Sequence, residues 1–319
     1  MREMTYDEAA SEALHEEFRR DKKTVHLSTD IPVTLQEEFG GDRVRGTPIS
    51  ESAFVGAAIG LAGAGFRPVV NIRMATFSFV ATDQIVNQAA KITYMFGGQA
   101  RFPIVYRLIV GARISFAAQH CINSYSMYMN VPGLKIILPS TPYDMKGLLK
   151  TAIRDDNPVL AFEHAALAKL KGGVPTEEYI IPFGQADIKR EGTDVTVVAI
   201  ANMVHEALAA ADELEKEEIS LEVVDPRSLA PMDKETIKDS VAKTGRLVAA
   251  DEACPTCSAA AEIISTVAED EQTYKRLKAP PKRVCALDVP IPFSPTMERY
   301  ALPDKDGIIE AVRVVMSHN

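Results

Sequence analysis

The chain has 319 residues, 46% of them hydrophobic, and a formal net charge of −9. That length suits two domains with sizeable cores. The acidic balance argues against nonspecific nucleic-acid binding, which relies on clustered cations. No charge-free run of about 18 apolar residues is present, so no membrane span is expected. The N-terminus, Met1-Arg2-Glu3-Met4-Thr5-Tyr6-Asp7-Glu8, is acidic and polar, unlike a secretory or transit leader. The four cysteines, Cys121, Cys254, Cys257 and Cys285, are too few for a disulfide scaffold in so long a chain. Both features point to a reducing, cytoplasmic setting.

In chain order, Thr5 to Arg20 reads as a charged amphipathic helix and Thr24 to Ser28 as a short strand. Ala53 to Ala64 is a helix closed by Gly65, followed by a strand at Pro68 to Ile72 and a helix from Ala81 to Met95. Strands are expected at Pro103 to Arg107, Lys135 to Pro139 and Val159 to Phe162, with a helix from Pro142 to about Arg154. A loose stretch, Lys169-Leu170-Lys171-Gly172-Gly173-Val174-Pro175, leads through Pro182-Phe183-Gly184. The alternation then restarts with strands at Val195 to Ile200, Ser220 to Val224 and Arg246 to Ala250. Helices at His205 to Lys216, Lys234 to Thr244 and Ser258 to Glu269 lie between and after them. Such alternation predicts an α/β fold, two mostly parallel sheets flanked by helices, with domains at 1–180 and 194–319 joined by a linker at 181–193.

Gly56, Gly60, Gly63 and Gly65 have neither the GxGxxG nor the GxxxxGK spacing and sit within or at the end of a helix, so a nucleotide loop is not expected. Glycine inside a helix costs about 1 kcal/mol against alanine. Gly56 and Gly60 therefore read as a packing face approached by another backbone, such as that of another subunit. Cys254-Pro255-Thr256-Cys257 has the spacing of a redox pair or half a zinc site, but no second CxxC or HxxxH supplies further ligands. Two ordinary thiols in a strand-to-helix loop are expected. In Thr47-Pro48-Ile49-Ser50-Glu51-Ser52, a carboxylate follows a proline and a capping serine and leads into an almost uncharged helix. It is either a solvated cap or a catalytic carboxylate held out of water.

The run from Arg43 to Gly56, RVRGTPISESAFVG, resembles the catalytic segment in beta subunits of thiamin-diphosphate 2-oxoacid dehydrogenases of the pyruvate, branched-chain and acetoin types. The resemblance continues in order through Met74-Ala75-Thr76-Phe77-Ser78-Phe79, Asp83 to Lys91, Ala118-Gln119-His120, Val131 to Lys135 and Ala152 to Pro158. It resumes at Asp225 to Asp233, Lys243 to Val248 and Asp288 to Phe293, and so spans nearly the whole chain. It implies a transketolase-like pyrimidine-binding domain followed by a transketolase C-terminal domain. It also implies an alpha partner in a two-alpha, two-beta heterotetramer, with thiamin diphosphate between the subunits. The diphosphate and magnesium motif of that superfamily, GDG followed by Asn, is not found here, so the alpha subunit is expected to bring it.

By this resemblance Glu51 faces the pyrimidine nitrogen as the proton relay that activates the cofactor. That requires burial to outweigh the pull of the helix N-terminus on its pKa. Phe77 would stack on the aminopyrimidine, Gln84 would also contact the cofactor, and His120 would lie in the active-site channel as a group able to orient or protonate the acyl intermediate. Ile104, Ala152, Asp155 and Asn157 match positions that bind potassium in some relatives; Asp-Asp-Asn-Pro is equally suited to a helix-ending turn. His26, His164 and His205 match no such motif and are taken as structural.

Two departures stand out. The Gly-Glu-Asp/Glu run after the first strand is here Ser28-Thr29-Asp30-Ile31-Pro32, and Thr29 cannot carry a proton path. The Arg-Gly-Pro-x-Gly run is replaced by Arg107-Leu108-Ile109-Val110-Gly111-Ala112-Arg113-Ile114-Ser115-Phe116. Bulky Leu108, Ile109 and Phe116 at this substrate and lipoyl entrance suggest a different substrate or acceptor. Arg113 would pair with a substrate carboxylate or be solvated. The activity implied is decarboxylation of a 2-oxo acid such as pyruvate, or acyloin cleavage, with acyl transfer to a lipoyl acyltransferase or another acceptor. The alternatives are the C-terminal half of a split transketolase-like transferase and a non-catalytic scaffold subunit.

Overall fold

The computed structural model describes residues 1–318. Its chain divides into two compact units, Met1–Val110 with Met127–Phe183, and Gly111–Ser126 with the chain from Gly184 onward. The segment 111–126, expected inside a first domain at 1–180, thus groups with the second unit.

The first unit opens with β1 (Arg2–Thr5) and α1 (Tyr6–Arg20), then β2 (Thr24–Ser28), α2 (Val33–Phe39), β3 (Val44–Gly46), α3 (Glu51–Gly63) and β4 (Arg67–Met74). After a 3₁₀ turn at Ala75–Ala81 and a π-helical turn at Asp83–Ala89 come α4 (Ile92–Met95) and β5 (Val105–Val110). The helix α5 (Tyr125–Met129) precedes β6 (Lys135–Ile137), α6 (Pro142–Arg154), β7 (Val159–His164) and β8 (Lys171–Val174). Six strands form a wholly parallel sheet in the order β6-β7-β5-β4-β2-β3. Parallel strands need crossovers that cover both faces, which is why β2 is buried throughout and β7 reads Val159-Leu160-Ala161-Phe162. The antiparallel pair β1–β8, not foreseen from sequence, ties the first residues to 171–174.

Local chemistry sets the long helices. Thr5 and Glu8 form a reciprocal capping box at the start of α1, with Asp7 and Glu8 in its first turn and Arg19 and Arg20 in its last. Ala9, Ala10, Ala13, Leu14 and Phe18 make its buried stripe. The stripe packs into one core with Met145, Leu148, Leu149 and Ile153 of α6 and with Val69, Val105 and Val159 of the sheet. Lys146 and Lys150, both with buried side chains, direct their ammonium groups to Glu12 and Glu16 of α1. Thr141 caps α6, with Pro142 in its first turn.

The expected helix over Ala81 to Met95 is instead three short pieces. Ser52 Oγ donates to the Val80 carbonyl at 2.6 Å, and Thr82 Oγ1 donates to the Phe79 carbonyl at 2.9 Å. These side chains compete for carbonyls that a regular helix would use. A β-bulge between Asn71 and Arg73 also kinks β4 before the turn. Among the described residues no backbone of another element approaches the glycines of α3. A Cβ on Gly56 would meet Gln84 Cγ at an ordinary 3.6 Å, and one on Gly60 would meet nothing within 4 Å.

The second unit holds β9 (Asp187–Arg190), β10 (Val195–Ala199), α7 (Met203–Leu214), β11 (Leu221–Asp225), β12 (Ser228–Ala230), α8 (Lys234–Thr244) and β13 (Leu247–Asp251). It ends with α9 (Ala259–Glu269), α10 (Glu271–Tyr274), β14 (Lys282–Cys285), α11 (Pro295–Ala301) and α12 (Lys305–Met316). Its sheet runs β14-β13-β10-β11-β9, with only β9 antiparallel. The core joins Val195, Val197, Val223 and Val248 to Val204 and Ala207 of α7 and to Ile308 and Val312 of α12. Asp233, Ser258 and Asp304 cap α8, α9 and α12, and Gly245 closes α8 at φ 76°.

His26, left structural by the sequence, lies buried on β2, where burial and then the nearby Arg107 push its pKa down to about 3. The folded state keeps it neutral while the unfolded chain, at its ordinary 6.5, takes up a proton, so its contribution is present above pH 6.5 and is lost as pH falls toward 3. Urea midpoints between pH 6.5 and 4 will show stability falling by up to about 1.4 kcal/mol per pH unit from this group, and the slope will be shallower in His26→Asn. Two glycines give opposite outcomes in the same assay. A Cβ on Gly192 would lie 2.1 Å from the Leu221 carbonyl carbon, so Gly192→Ala is expected to cost roughly 2 kcal/mol or more. Gly60→Ala will stabilise the isolated chain by about 0.5–1 kcal/mol.

Candidate active site

Glu51 is the first residue of α3, which starts two residues earlier than expected. Ser50 precedes it, but its side chain does not cap; the Ala53 and Phe54 amides instead donate to the Ser50 carbonyl at 3.0 and 3.1 Å. The carboxylate is half-buried and opens a helix whose only other polar side chain is Ser52. Through Ser52, the start of α3 is fastened to the 75–81 turn. That turn carries Phe77, half-buried, and is held from within by Ser78, whose hydroxyl lies 2.7 Å from that of Tyr128. The next turn brings Gln84 against Gly56, and its Oε1 is buried with no hydrogen-bond partner. Glu51, Phe77 and Gln84, separated in sequence, thus belong to one packed group of elements. Phe79, two residues on, is partly exposed, at 38%.

A carboxylate, a half-buried aromatic ring and an unsatisfied amide carbonyl are a donor set that suits an aminopyrimidine. The ring offers a face for stacking, and the orphaned carbonyl is a buried acceptor that a ligand N–H would satisfy.

The other cation-site positions also lie in the first unit. The Ile104 carbonyl accepts the Val159 amide at 2.8 Å, and Ala152 is buried in α6. Asp155 ends α6. Its Oδ1 accepts from the Asn157 amide and Nδ2, both at 2.8 Å, and its Oδ2 pairs with Lys135. Arg67 takes the Asp155 carbonyl at 2.9 Å. The carboxylate therefore has its charge matched by a neighbouring ammonium and its lone pairs used by the helix-ending turn.

Arg113, Phe116 and His120 belong to the second unit. Arg113 is neither solvated nor unpaired: Nε donates to Glu252 at 3.1 Å, Nη2 to the Pro303 carbonyl at 2.7 Å, and Nη1 lies 3.3 Å from Glu206. Phe116 is half-exposed and meets the His120 ring edge-on, with centroids 6.3 Å apart at 89°. Leu108 and Ile109, expected to line the entrance loop, are in strand β5, and Leu108 is fully buried. The altered loop therefore begins at Gly111.

Arg107 was read as part of that loop but forms a bidentate pair with Glu163, at 2.5 and 2.8 Å. A cation and an anion in two otherwise apolar strands were the available signal. Cys254 and Cys257 lie as free thiols in the loop between β13 and α9. Burial, then Asp288 and Asp251, raises the Cys254 pKa, the opposite of an activated redox thiol, and burial pushes Cys285 up to about 12. Among the described residues no group of three His, Cys, Asp or Glu could hold a metal.

Comparison with known proteins matches the transketolase pyrimidine binding domain over residues 2–169 and the transketolase C-terminal domain over 184–308. The beta subunit of acetoin:2,6-dichlorophenolindophenol oxidoreductase from Cupriavidus necator is 44% identical, covering 99% of this chain and 98% of that one. The 2-oxoisovalerate dehydrogenase beta subunit of Bacillus subtilis is 41% identical, covering 97% and 98%. The pyruvate dehydrogenase E1 component beta subunit of Rickettsia felis is 44% identical, covering 98% of each. A solved split-gene transketolase, described as an inactive beta4 tetramer, superposes with a TM-score of 0.82 over 99% of both chains at 22% identity, a likeness of fold. The chain belongs to the transketolase-like beta subunits of the thiamin-diphosphate-dependent 2-oxoacid and acetoin dehydrogenases.

Proposed function

We propose that this chain supplies the pyrimidine-side half of a thiamin-diphosphate site and, with an alpha partner, decarboxylates a 2-oxo acid or cleaves an acyloin and passes on the acyl group. The observation that carries the reading is Glu51 at the mouth of an apolar helix whose first turn is fastened to the segment bearing Phe77, with the unsatisfied Gln84 carbonyl packed on the same helix. The alpha partner brings the diphosphate and magnesium ligands, in a two-alpha, two-beta assembly. The acyl acceptor is a lipoyl group on an acyltransferase or a small oxidant.

Thiamin diphosphate, when bound, would supply a carbon acid able to serve as a nucleophile. Glu51 holds and returns the proton at the pyrimidine nitrogen that this activation requires. Phe77 gives the pyrimidine a face to lie against, and Gln84 Oε1 accepts an N–H. His120, paired edge-on with Phe116, would orient the substrate or give it a proton. At the end of α6, Ile104, Ala152, Asp155 and Asn157 would offer oxygen ligands to a potassium ion, beside the existing pair of Asp155 with Lys135.

In the assembled enzyme, Glu51→Gln is expected to lower turnover about 10²-fold or more while thiamin diphosphate still binds. Full activity in that variant removes the catalytic reading and leaves a scaffold. Phe77→Ala will weaken cofactor binding by about tenfold, measured by fluorescence titration. A screen of 2-oxo acids and acetoin with an artificial oxidant identifies the substrate. Sugar-phosphate products without net oxidation would instead establish the split-transketolase alternative.

A further inference from the structure

The loop from Gly111 to His120 has an unusual backbone. Gly111, Arg113, Ser115 and Ala117 alternate through the left-handed region, at φ 87°, 67°, 55° and 62°. Left-handed geometry is unfavourable for residues with a Cβ, and such residues persist only where the surroundings over-determine them. Here the surroundings are two carboxylates brought from distant segments. Glu252, 4% exposed, accepts the Ala112 amide through Oε1 at 2.9 Å and Arg113 Nε through Oε2 at 3.1 Å. Glu298, 2% exposed and in the first turn of α11, accepts the Ser115 amide at 3.1 and 3.3 Å and the Ser115 hydroxyl at 3.4 Å. Arg113 in turn reaches Glu206, whose other oxygen accepts the Lys305 amide at 2.9 Å.

Below this clamp the chain makes a tight turn. The His120 and Cys121 amides both donate to the Ala117 carbonyl, at 3.2 and 3.0 Å. Cys121 is anchored in an apolar cluster with Ala112, Ala286 and Leu302. Phe116 and His120 stand on the stretch between the carboxylate-held amides and that anchor. Their relative aim therefore depends on where the Ser115 peptide is held. A carboxylate accepting a backbone amide is a charge-assisted bond, stronger than a neutral one. Its burial makes any alternative loop path leave an unsatisfied charge.

We propose that Glu298 and Glu252 are positioning residues: they hold the left-handed path of residues 111–117 and so set the aim of Phe116 and His120 toward the acyl substrate. This rests on the reading of His120 as a substrate-side group. Asp251 acts at the far end of the same segment, accepting from the Tyr125 hydroxyl as well as from the Ala253 and Ala260 amides.

The test uses the enzyme assembled with its alpha partner and two variants. Glu298→Ala removes the acceptor; Glu298→Gln retains an amide oxygen that can take the Ser115 N–H. Hydrogen exchange of residues 113–121 and the KM for the 2-oxo acid or acyloin are measured together, with His120→Ala as reference. The expected result is faster exchange and a KM raised about tenfold or more in Glu298→Ala, with both largely restored in Glu298→Gln. Unchanged exchange in Glu298→Ala overturns the clamp. Faster exchange with unchanged KM, while His120→Ala loses turnover, overturns the positioning role. If His120→Ala keeps full turnover, the reading of His120 fails, and with it the proposed purpose of the clamp; the exchange data still decide whether the carboxylate holds the loop.

Discussion

Parallel strand pairing is the constraint from which the rest of the first unit follows. Two parallel neighbours cannot be joined by a tight turn, so the chain must leave each strand at its carboxyl end, cross a face and return. The six-stranded sheet repeats this rule across β3, β2, β4, β5, β7 and β6. Each crossover covers a face, excludes water and makes the strands apolar on both sides. The same rule concentrates irregular backbone after the carboxyl ends, where open α/β sheets present ligand sites. Glu51 follows β3, Phe77 follows β4, and the loop with Phe116 and His120 follows β5. The candidate groups are dispersed in sequence, but each occupies the same kind of place in the repeat.

Burying both faces makes any charge inside conspicuous. The first unit contains Arg107 and Glu163, joined by two parallel hydrogen bonds, and the ammonium groups of Lys146 and Lys150, which meet Glu12 and Glu16 of α1. Desolvation makes such pairs weak sources of stability and strong penalties against mispairing. Their arrangement specifies how α1 and α6 align. His26 beside Arg107 stays neutral for the same reason, since a second buried cation there would have no partner.

Features that depend on neighbouring residues were legible in the sequence. The helix starts at Tyr6, Pro142, Lys234 and Ala259 were placed to within a residue, and the apolar runs placed most strands. Features set across the fold were not. The 81–95 region reads as one helix, because nothing near Val80 announces that Ser52 will take its carbonyl. Leu108 and Ile109 read as loop residues, because a buried parallel strand and a bulky loop share composition. Glu51 was visible through the motif around it, whereas its residue chemistry alone left two roles open. Glu252 and Glu298 carried no local sign at all: an acid in the sequence does not reveal which distant amide it will accept.

The alternating loop separates two properties that usually change together. Its path is dictated by carboxylates on other segments, and its display is dictated by its own side chains. Replacing Phe116 therefore alters what the loop presents without altering the groups that hold Ala112, Arg113 and Ser115. Exposed positions such as Phe116 can vary within that frame, while drift at Ser115 or Ala117 toward β-branched residues is barred by their backbone handedness. Frame and display are thus separable: one can stay constant while the other changes.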